Sequence, residues 1–492
     1  VNAGVALGIV AVVVVATILL GLRGVRGVAM DPQEYIVGGR SIGALLLWLL
    51  LAGEIYTTFT FLGAAGWAYG KGAPAYYILC YGTIAYIISF FIAPPIHRIA
   101  RERGYLTGPD FFADRYGSKA LGALVALLGF VMLVPYVTLQ LTGLQILLQL
   151  AGYGRLNALA AVALGFFAIA LFTFVAGLRG AAWASVAKDG LVLLGVIFAG
   201  IVLPSQFFGS PAGALDAVIR DHPGWLVIAG PSSPSGITWV ITTTVLTACG
   251  FFMWPQSMAA IYSARNEDAL RRNAVFLPFY QVMLLLVFFA GFAALEILPG
   301  LKGSDADKSF MLVVQQHYPA WVLGVIASAG VLAALVPASG QLLAAASIVG
   351  KNVLADYGFA RDAEAQTRAT RFLVLIVALL AFGFWALAKT TLVGLLLIGY
   401  NGITQLFPGV VLGLAARRPH ALAVGAGIVT GIIALVFFAV DQAQKGGGVV
   451  AHSVFAPVNT GLLALVLNVV VLAVLSVALR SSGAARSAPV RR

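Results

Sequence analysis

An all-helical protein that crosses a membrane many times is predicted by three observations. Apolar residues make up 61% of the 492-residue chain and charged residues 10%, against about 25% charged in a soluble globular domain. Thirteen apolar runs recur along it, most of them about the twenty residues that a helix needs to cross about 30 Å of hydrocarbon. Two of these runs carry polar or helix-breaking residues at mid-depth and lie five spans apart, so they enter the bilayer from opposite sides. That pattern marks an inverted-repeat transporter, with a discontinuous helix in each half and the site at the midplane.

The runs fall at about 3–22, 42–69, 74–97, 120–150, 156–176, 180–204, 237–262, 274–298, 320–350, 370–388, 391–415, 420–440 and 458–480. The first has no positively charged flank and no small-residue cleavage pattern, so it is expected to be a true span and not a removable leader. The second is interrupted at Leu51-Ala52-Gly53-Glu54-Ile55-Tyr56-Thr57-Thr58, and the seventh at Ala248-Cys249-Gly250-Phe251-Phe252-Met253-Trp254-Pro255-Gln256. Irregular backbone is tolerated at that depth only where it lines a cavity. The longest loop, 205–236, is rich in Pro, Gly and Ser and is expected to carry a short surface helix near 212–220.

Charge sets the orientation. Segments following odd-numbered spans hold 22 of the 30 basic residues and those following even-numbered spans hold 7, with Lys188 the remaining one. Because cytoplasmic loops collect Lys and Arg, the N-terminus is expected outside and the C-terminus inside. The net charge of +12 is spread over short loops and gives no reason to expect a nucleic-acid partner. Cys80 and Cys249 both lie in apolar runs, and no His/Cys cluster has metal-ligand spacing, so neither a disulfide framework, a metal nor a cofactor is expected. No nucleophile elbow or carboxylate pair points to an enzyme.

Lys188 is the outstanding residue. It sits inside the run Ala181-Ala182-Trp183-Ala184-Ser185-Val186-Ala187-Lys188-Asp189-Gly190-Leu191, where a charge costs roughly 2.5–3.5 kcal/mol on insertion scales. The other acids deep in a span are Glu54 and Asp189. Lys188 is either a proton carrier, a partner in a static ion pair, or a substrate contact. A desolvated lysine can be discharged, which suits the first role. Glu54, beside the first break, is one candidate partner for Lys188. Asp189 points roughly 100° away on a helix and so does not share its face; it either touches Lys188 or faces a cytoplasmic water path. Thr57 and Thr58 open the half-helix after the first break, where free N–H groups and the dipole suit a substrate carboxylate; threonines bonding their own backbone are the alternative. Phe251, Phe252 and Trp254 at the second break either wall a small apolar pocket or pack as core. Tyr136 and Gln140 are polar residues of the fourth span expected to face inward, for substrate or for packing.

Several stretches resemble the sodium/solute symporter family. They are Glu34-Tyr35-Ile36-Val37-Gly38-Gly39-Arg40-Ser41, Phe61-Leu62-Gly63 with Gly66 and Tyr69, Thr107-Gly108-Pro109-Asp110-Phe111 with Arg115-Tyr116, and Gly177-Leu178-Arg179-Gly180. Val186-Ala187-Lys188-Asp189, Trp254-Pro255-Gln256, the run 259–264 and Arg271-Arg272-Asn273-Ala274 are similar to its bacterial monocarboxylate permease branch. The resemblance implies a LeuT-type core of five plus five helices over 41–415, with repeats 41–204 and 237–415. Residues 1–40 would be an extra helix and linker, 416–480 two further helices, and 481–492 a cytoplasmic tail.

The resemblance also implies an ion site. Its carbonyls carry over to Gly53 and Tyr56, and its hydroxyl pair to Val336 and Pro337, neither of which has a side-chain oxygen; Ser339 lies close by. The fifth core helix, which bears Lys188, faces that site, and an ammonium there matches the charge of the missing ion. Tyr400 and Asn401 fall where the tenth core helix reaches substrate. The expected function is import of a small monocarboxylate (pyruvate, lactate or propionate class) across a bacterial cytoplasmic membrane. The partners are the substrate, the lipid bilayer, and H⁺ in place of Na⁺. A sodium-coupled symporter of another solute, such as an amino acid or vitamin, is the alternative.

Overall fold

A computed structural model describes residues 1–27, 31–388, 390–444, 450–453 and 456–481. Its helices follow in chain order: α1 (Asn2–Gly24), α2 (Ala44–Ile55), α3 (Ala64–Lys71), α4 (Tyr77–Arg103), α5 (Gly108–Arg115), α6 (Lys119–Ala151), α7 (Ala158–Ile197), α8 (Ile237–Gly250) and α9 (Pro255–Ser263). The second half has α10 (Glu267–Gln281), α11 (Leu284–Ile297), α12 (Ser309–His317), α13 (Ala320–Val349), α14 (Ala363–Leu387), α15 (Leu392–Ile403), α16 (Phe407–Leu414), α17 (Ala421–Gln444) and α18 (Thr460–Ser481). Among the described residues, ten helical segments are long and apolar enough to cross a membrane, or eleven if the bent pair Ile237–Met253 and Pro255–Ser263 is one span. Two shorter apolar helices, Ala44–Gly53 and Ala158–Phe174, accompany them. Each of the thirteen apolar runs falls on one of these segments. Helix is the only open-ended way to satisfy backbone groups in hydrocarbon, so the hydropathy pattern and the architecture coincide.

Local signals set the boundaries. Ser118 caps α6 by accepting from the Leu121 N–H, and Asn157 caps α7 by accepting from the Ala160 N–H. Thr107 and Asp110 form a reciprocal capping box at the start of α5. The fifth and sixth runs are divided at Gly177, whose φ of 57° and ψ of −167° interrupt the helix; a Cβ there would lie 2.9 Å from the Tyr35 ring, so both conformation and space call for glycine. The loop at 205–236 carries the helices Leu203–Phe208 and Pro211–Asp221, as its composition predicts. Unpredicted is a small antiparallel hairpin, β1 (Val450–Ser453) with β2 (Ala456–Asn459), between α17 and α18.

The most enclosed span is α13, which packs against α1, α6, α7 and α14. Small residues allow that density, as in membrane bundles generally. A Cβ on Gly324 would lie 3.1 Å from α1 at Ala6, and one on Gly330 would lie 2.7 Å from Leu147 of α6. On the arginine-rich face the two broken spans are tied together. Ile42 donates its N–H to the Ser263 carbonyl at 3.2 Å and accepts from the Arg265 N–H at 3.0 Å. Arg98 of α4 reaches Glu267 of α10 with two hydrogen bonds of 2.8 and 2.9 Å, and Arg179 pairs with Glu34. The opposite face holds the loop helices, the hairpin and a short turn at Gly303–Lys308.

Candidate functional site

Both sequence-predicted breaks are present. At the first, α2 ends at Ile55 and Tyr56 adopts φ −89°, ψ 80°. The chain resumes through a wide turn at Phe59–Gly63 into α3. The N–H groups of this half-helix are already engaged. Thr57 N–H donates to Thr60 Oγ1 at 3.0 Å, Phe59 N–H to Thr57 Oγ1 at 3.2 Å, and Thr58 N–H lies 3.4 Å from Gln140 Oε1. Thr58 Oγ1 donates to the same oxygen at 2.7 Å. In this arrangement Thr57 bonds its own helix end, the alternative to a carboxylate cradle, and Thr58 bonds Gln140. What the arrangement leaves free is Gln140. Its Oε1 must face the Thr58 N–H, which only donates, so its Nε2 points elsewhere, and it has no hydrogen-bond partner although the residue is fully buried.

At the second break α8 ends at Gly250, a tight turn covers Phe251–Met253, and Trp254 is extended (φ −62°, ψ 138°) before α9. The two halves are bent by 52°. Pro255 takes the first helical position, where its missing N–H costs nothing. No side chain caps this end, and both amide atoms of buried Gln256 lack a partner.

Between the breaks lies an aromatic cluster. Trp254 meets Tyr136 of α6 at 4.9 Å and Tyr400 of α15 at 5.4 Å, centroid to centroid. Tyr81 of α4 meets Tyr400 at 5.7 Å and Phe251 at 6.2 Å. Tyr86 packs on Phe251 and Phe252 at 5.5 and 5.8 Å. The predicted residues Phe251, Phe252, Trp254 and Tyr400 are thus brought together. Tyr81 and Tyr86 join them without a sequence signal, since a lone aromatic in an apolar run has no marked face. Asn401 does not join. Its Nδ2 donates toward Thr460 Oγ1 at 3.4 Å, and a Cβ on Gly461 of α18 would lie 2.5 Å from its Oδ1. One residue on from Tyr400 is a rotation of about 100°, which carries the amide away from the site into the contact with α18. Asn401, expected at the substrate, thus faces α18 in this arrangement.

Lys188 is fully buried on α7, and its ammonium lies against α2: a Cβ on Gly53 would fall 2.9 Å from Nζ. Its partner is Asp189, with Nζ 2.6 Å from Oδ1 and the carboxylate 5% exposed. Of the two placements open to Asp189, the contact with Lys188 is the one present. Helical geometry separates the two Cβ directions, but four methylenes let the ammonium fold back to its neighbour. Glu54 lies in the last turn of α2, and its side chain is outside the described residues. Gly53, Ser185 of α7, Gln256 of α9, and Val336, Pro337 and Gly340 of α13 line one small cavity between the four helices, roomy enough for a water-sized occupant. Of the residues that the ion-site expectation named, Gly53 of α2 and Val336 and Pro337 of α13 line this space, and Tyr56, Lys188 and Asp189 are not among its lining residues. Ser185 donates to the Ala181 carbonyl at 3.0 Å. Ser339 does not line this space; it donates to the Val336 carbonyl of its own helix at 2.7 Å. The α13 wall offers the cavity no side-chain oxygen at Val336 or Pro337. Among the described residues no cluster of three His, Cys, Asp or Glu could hold a metal ion.

A helical bundle with two spans broken at mid-depth, and with buried unpaired polar groups and a buried cation gathered beside the breaks, is the architecture of a secondary transporter and not of an enzyme. The chain belongs to the sodium:solute symporter family, whose sequence profile matches residues 35–422. It is 39% identical over 476 residues to the uncharacterized symporter YhjB of Bacillus subtilis, covering 96% of this chain and 97% of that one. It is 29% identical to a monocarboxylate transport permease protein of Rhizobium johnstonii, covering 93% and 92%. It is 25% identical to the sodium/proline symporter of Escherichia coli, covering 77% of each. A Na⁺-coupled sialic acid symporter, solved in a substrate-bound outward-open state, shares the fold with a TM-score of 0.79 at 15% identity, over 97% of both chains. The fold is thus that of LeuT-like symporters, and the protein is a multi-pass membrane transporter.

Proposed function

We propose that this protein imports a small monocarboxylate of the pyruvate, lactate or propionate class, that it is driven by protons, and that Lys188 takes the place of a coupling sodium ion. The observation that carries this reading is the cavity between α2, α7, α9 and α13. Its α13 wall presents Val336 and Pro337 where cation binding would want oxygens, and a lysine ammonium stands against its α2 wall at Gly53. The cation is tethered, so a cycle can change its charge only by moving a proton. Lysine can do so and arginine cannot.

The monocarboxylate class is supported by the permease relative and by the site's chemistry. One free buried donor, Gln140 Nε2, lies beside the first break, and the aromatic cluster at the second break is an apolar surface suited to a short carbon chain. A dicarboxylate would bring a second charge to be desolvated at a cost of several kcal/mol. We read the arginine-rich face as cytoplasmic, the N-terminus as outside and the C-terminus as inside. The membrane is then the bacterial cytoplasmic membrane, in keeping with the bacterial relatives. The division into a 41–415 core with flanking helices belongs to the same reading. Likeness to the sodium/proline symporters favours a second reading, a sodium-coupled symporter of another solute.

Uptake and counterflow of labelled pyruvate in proteoliposomes test the two readings. Uptake should persist when Na⁺ is replaced by K⁺ or choline, and it should rise with an inward proton gradient. Strict Na⁺ dependence at fixed pH would refute the proposal and leave the second reading.

A further inference from the structure

We propose that Asp307, in the turn between α11 and α12 on the face opposite the arginine-rich one, is a proton-binding latch that holds this turn against the outer ends of the two repeats. The turn, Gly303–Lys308, lies far from Lys188 in sequence and on the face read above as external. Asp307 is 2% exposed. Its Oδ2 accepts from the Leu392 N–H at 2.8 Å, so the carboxyl caps the first turn of α15. Its Oδ1 has no hydrogen-bond partner. It is pressed instead against Gly66 of α3, where an added Cβ would lie 2.5 Å from Oδ1 and 2.7 Å from the Asp307 Cα. One side chain therefore joins the outer half of the first broken span, the loop, and the start of the tenth core helix.

A carboxyl group that is buried with one oxygen unpartnered costs less to bury neutral than charged, so the small ligand this site favours is a proton. Burial pushes the Asp307 carboxyl up to about 8, with the Leu392 N–H and the Lys308 charge only partly opposing it. Of the other charges near the turn, exposed Lys302 precedes it. Lys308 pairs with Asp305 at 2.7 Å. On α11, Glu296 faces His222 at 3.5 Å. Lys71 ends α3, His317 ends α12 against Phe207, and Tyr69 of α3 donates to the Leu298 carbonyl at 2.7 Å. On the α15 side Thr390 and Thr391 are uncharged, and Lys389 lies outside the described residues.

The direction follows by linkage. In the packed arrangement Asp307 holds its proton up to about pH 8; lifted into water it would hold it only in the ordinary carboxylate range. The packed arrangement is fully favoured below that range and loses ground as pH rises toward 8. Above 8 there is no further change. Acid outside thus keeps the latch shut, and alkali frees the turn.

The test measures the turn directly. Nitroxide labels on Ser304→Cys and Arg155→Cys, both exposed positions, are placed in a Cys80→Ser, Cys249→Ala background in nanodiscs, and their separation is read by pulsed electron resonance. A second distance should grow from pH 5.5 to 8 by up to about tenfold per unit relative to the packed one, then level off. Asp307→Asn, neutral at every pH, should show a ratio independent of pH. A single pH-independent distance in the otherwise native chain would overturn the latch. So would the same titration in Asp307→Asn, or a ratio that follows Na⁺ at fixed pH. The unsubstituted Asp307 chain gives the first and third outcomes even if the variant does not fold. No substrate and no coupling step enters the measurement, so its failure would leave the Lys188 reading intact, and failure of that reading would leave the latch.

Discussion

Replacing Lys188 by alanine separates a coupling charge from a structural one. The substitution leaves the Asp189 carboxylate 5% exposed, with neither oxygen holding another hydrogen-bond partner. Removing one member of a buried pair typically costs about 3–5 kcal/mol, because the survivor stays charged in a poor solvent. That is roughly a 10²- to 10⁴-fold shift in the folding equilibrium. Lys188→Ala should therefore lower thermal stability in detergent, and Lys188→Ala/Asp189→Asn should recover most of it, since no net charge is then buried. Transport should not follow stability. Both proteins should lose proton-driven accumulation, because nothing that titrates remains against Gly53. Lys188→Arg should fail as well, since guanidinium does not discharge. The assays are thermal stability by fluorescence-detected chromatography, and uptake against external pH for equal amounts of reconstituted protein. A double variant that still concentrates substrate with an unchanged pH profile would reduce Lys188 to a structural charge. A single variant as stable as the parent would contradict the buried pair itself.

Three further outcomes are expected. Gly53→Ala places a methyl 2.9 Å from Nζ; the end of a flexible lysine can give way, so the protein should fold and insert while its uptake–pH profile moves. An unchanged profile would mean that the ammonium does not work from that position. Gln140→Leu removes the free Nε2 and leaves the Thr58 hydroxyl without its acceptor; at about 1–3 kcal/mol for a lost buried hydrogen bond, KM for pyruvate should rise roughly ten- to a hundredfold, and an unchanged KM would place the carboxylate elsewhere. One proton moving with one monoanion is electroneutral, so a valinomycin-imposed potential should leave uptake unaltered. Strong stimulation by an inside-negative potential would imply an extra cation and contradict a tethered coupling charge.

The fold was legible because its determinants are one-dimensional. Twenty apolar residues in a row have little choice but helix, and a polar interruption at mid-depth marks a break. Both breaks stand where Gly53–Thr58 and Gly250–Gln256 predicted them. The family motifs were legible too, but most of them are fasteners and not site. Glu34 pairs with Arg179. Arg115 Nε donates to the Gly413 carbonyl at 2.7 Å, and Tyr116 to the Gly409 carbonyl at 2.6 Å. Gly66 makes room for Asp307. The site was legible only by residue type. Sequence could nominate Lys188, Gln140 and Trp254, but not which neighbour each would face. Asn401 stands apart from Tyr400 because one helical step turns it to α18. Gln256 was visible as a motif residue, and its polarity beside a proline in a broken span was the signal that could have singled it out. Asp307 carried no signal at all, since its burial is made by residues far away in the chain.

The same geometry explains how Asp189 meets Lys188, which the sequence left open, and why the pairing matters. Cβ directions on a helix separate adjacent residues, and for short side chains that settles who can meet. A lysine is long enough to undo the separation, so Lys188 and Asp189 form a pair within one helix. A pair between helices would be broken whenever those helices parted, and each parting would expose or strand a charge at a cost of several kcal/mol. A pair within α7 moves with α7. On this reading Asp189 is the residue that makes a buried lysine affordable in both halves of a transport cycle. It is also why the informative comparison is between the single Lys188 variant and the double one.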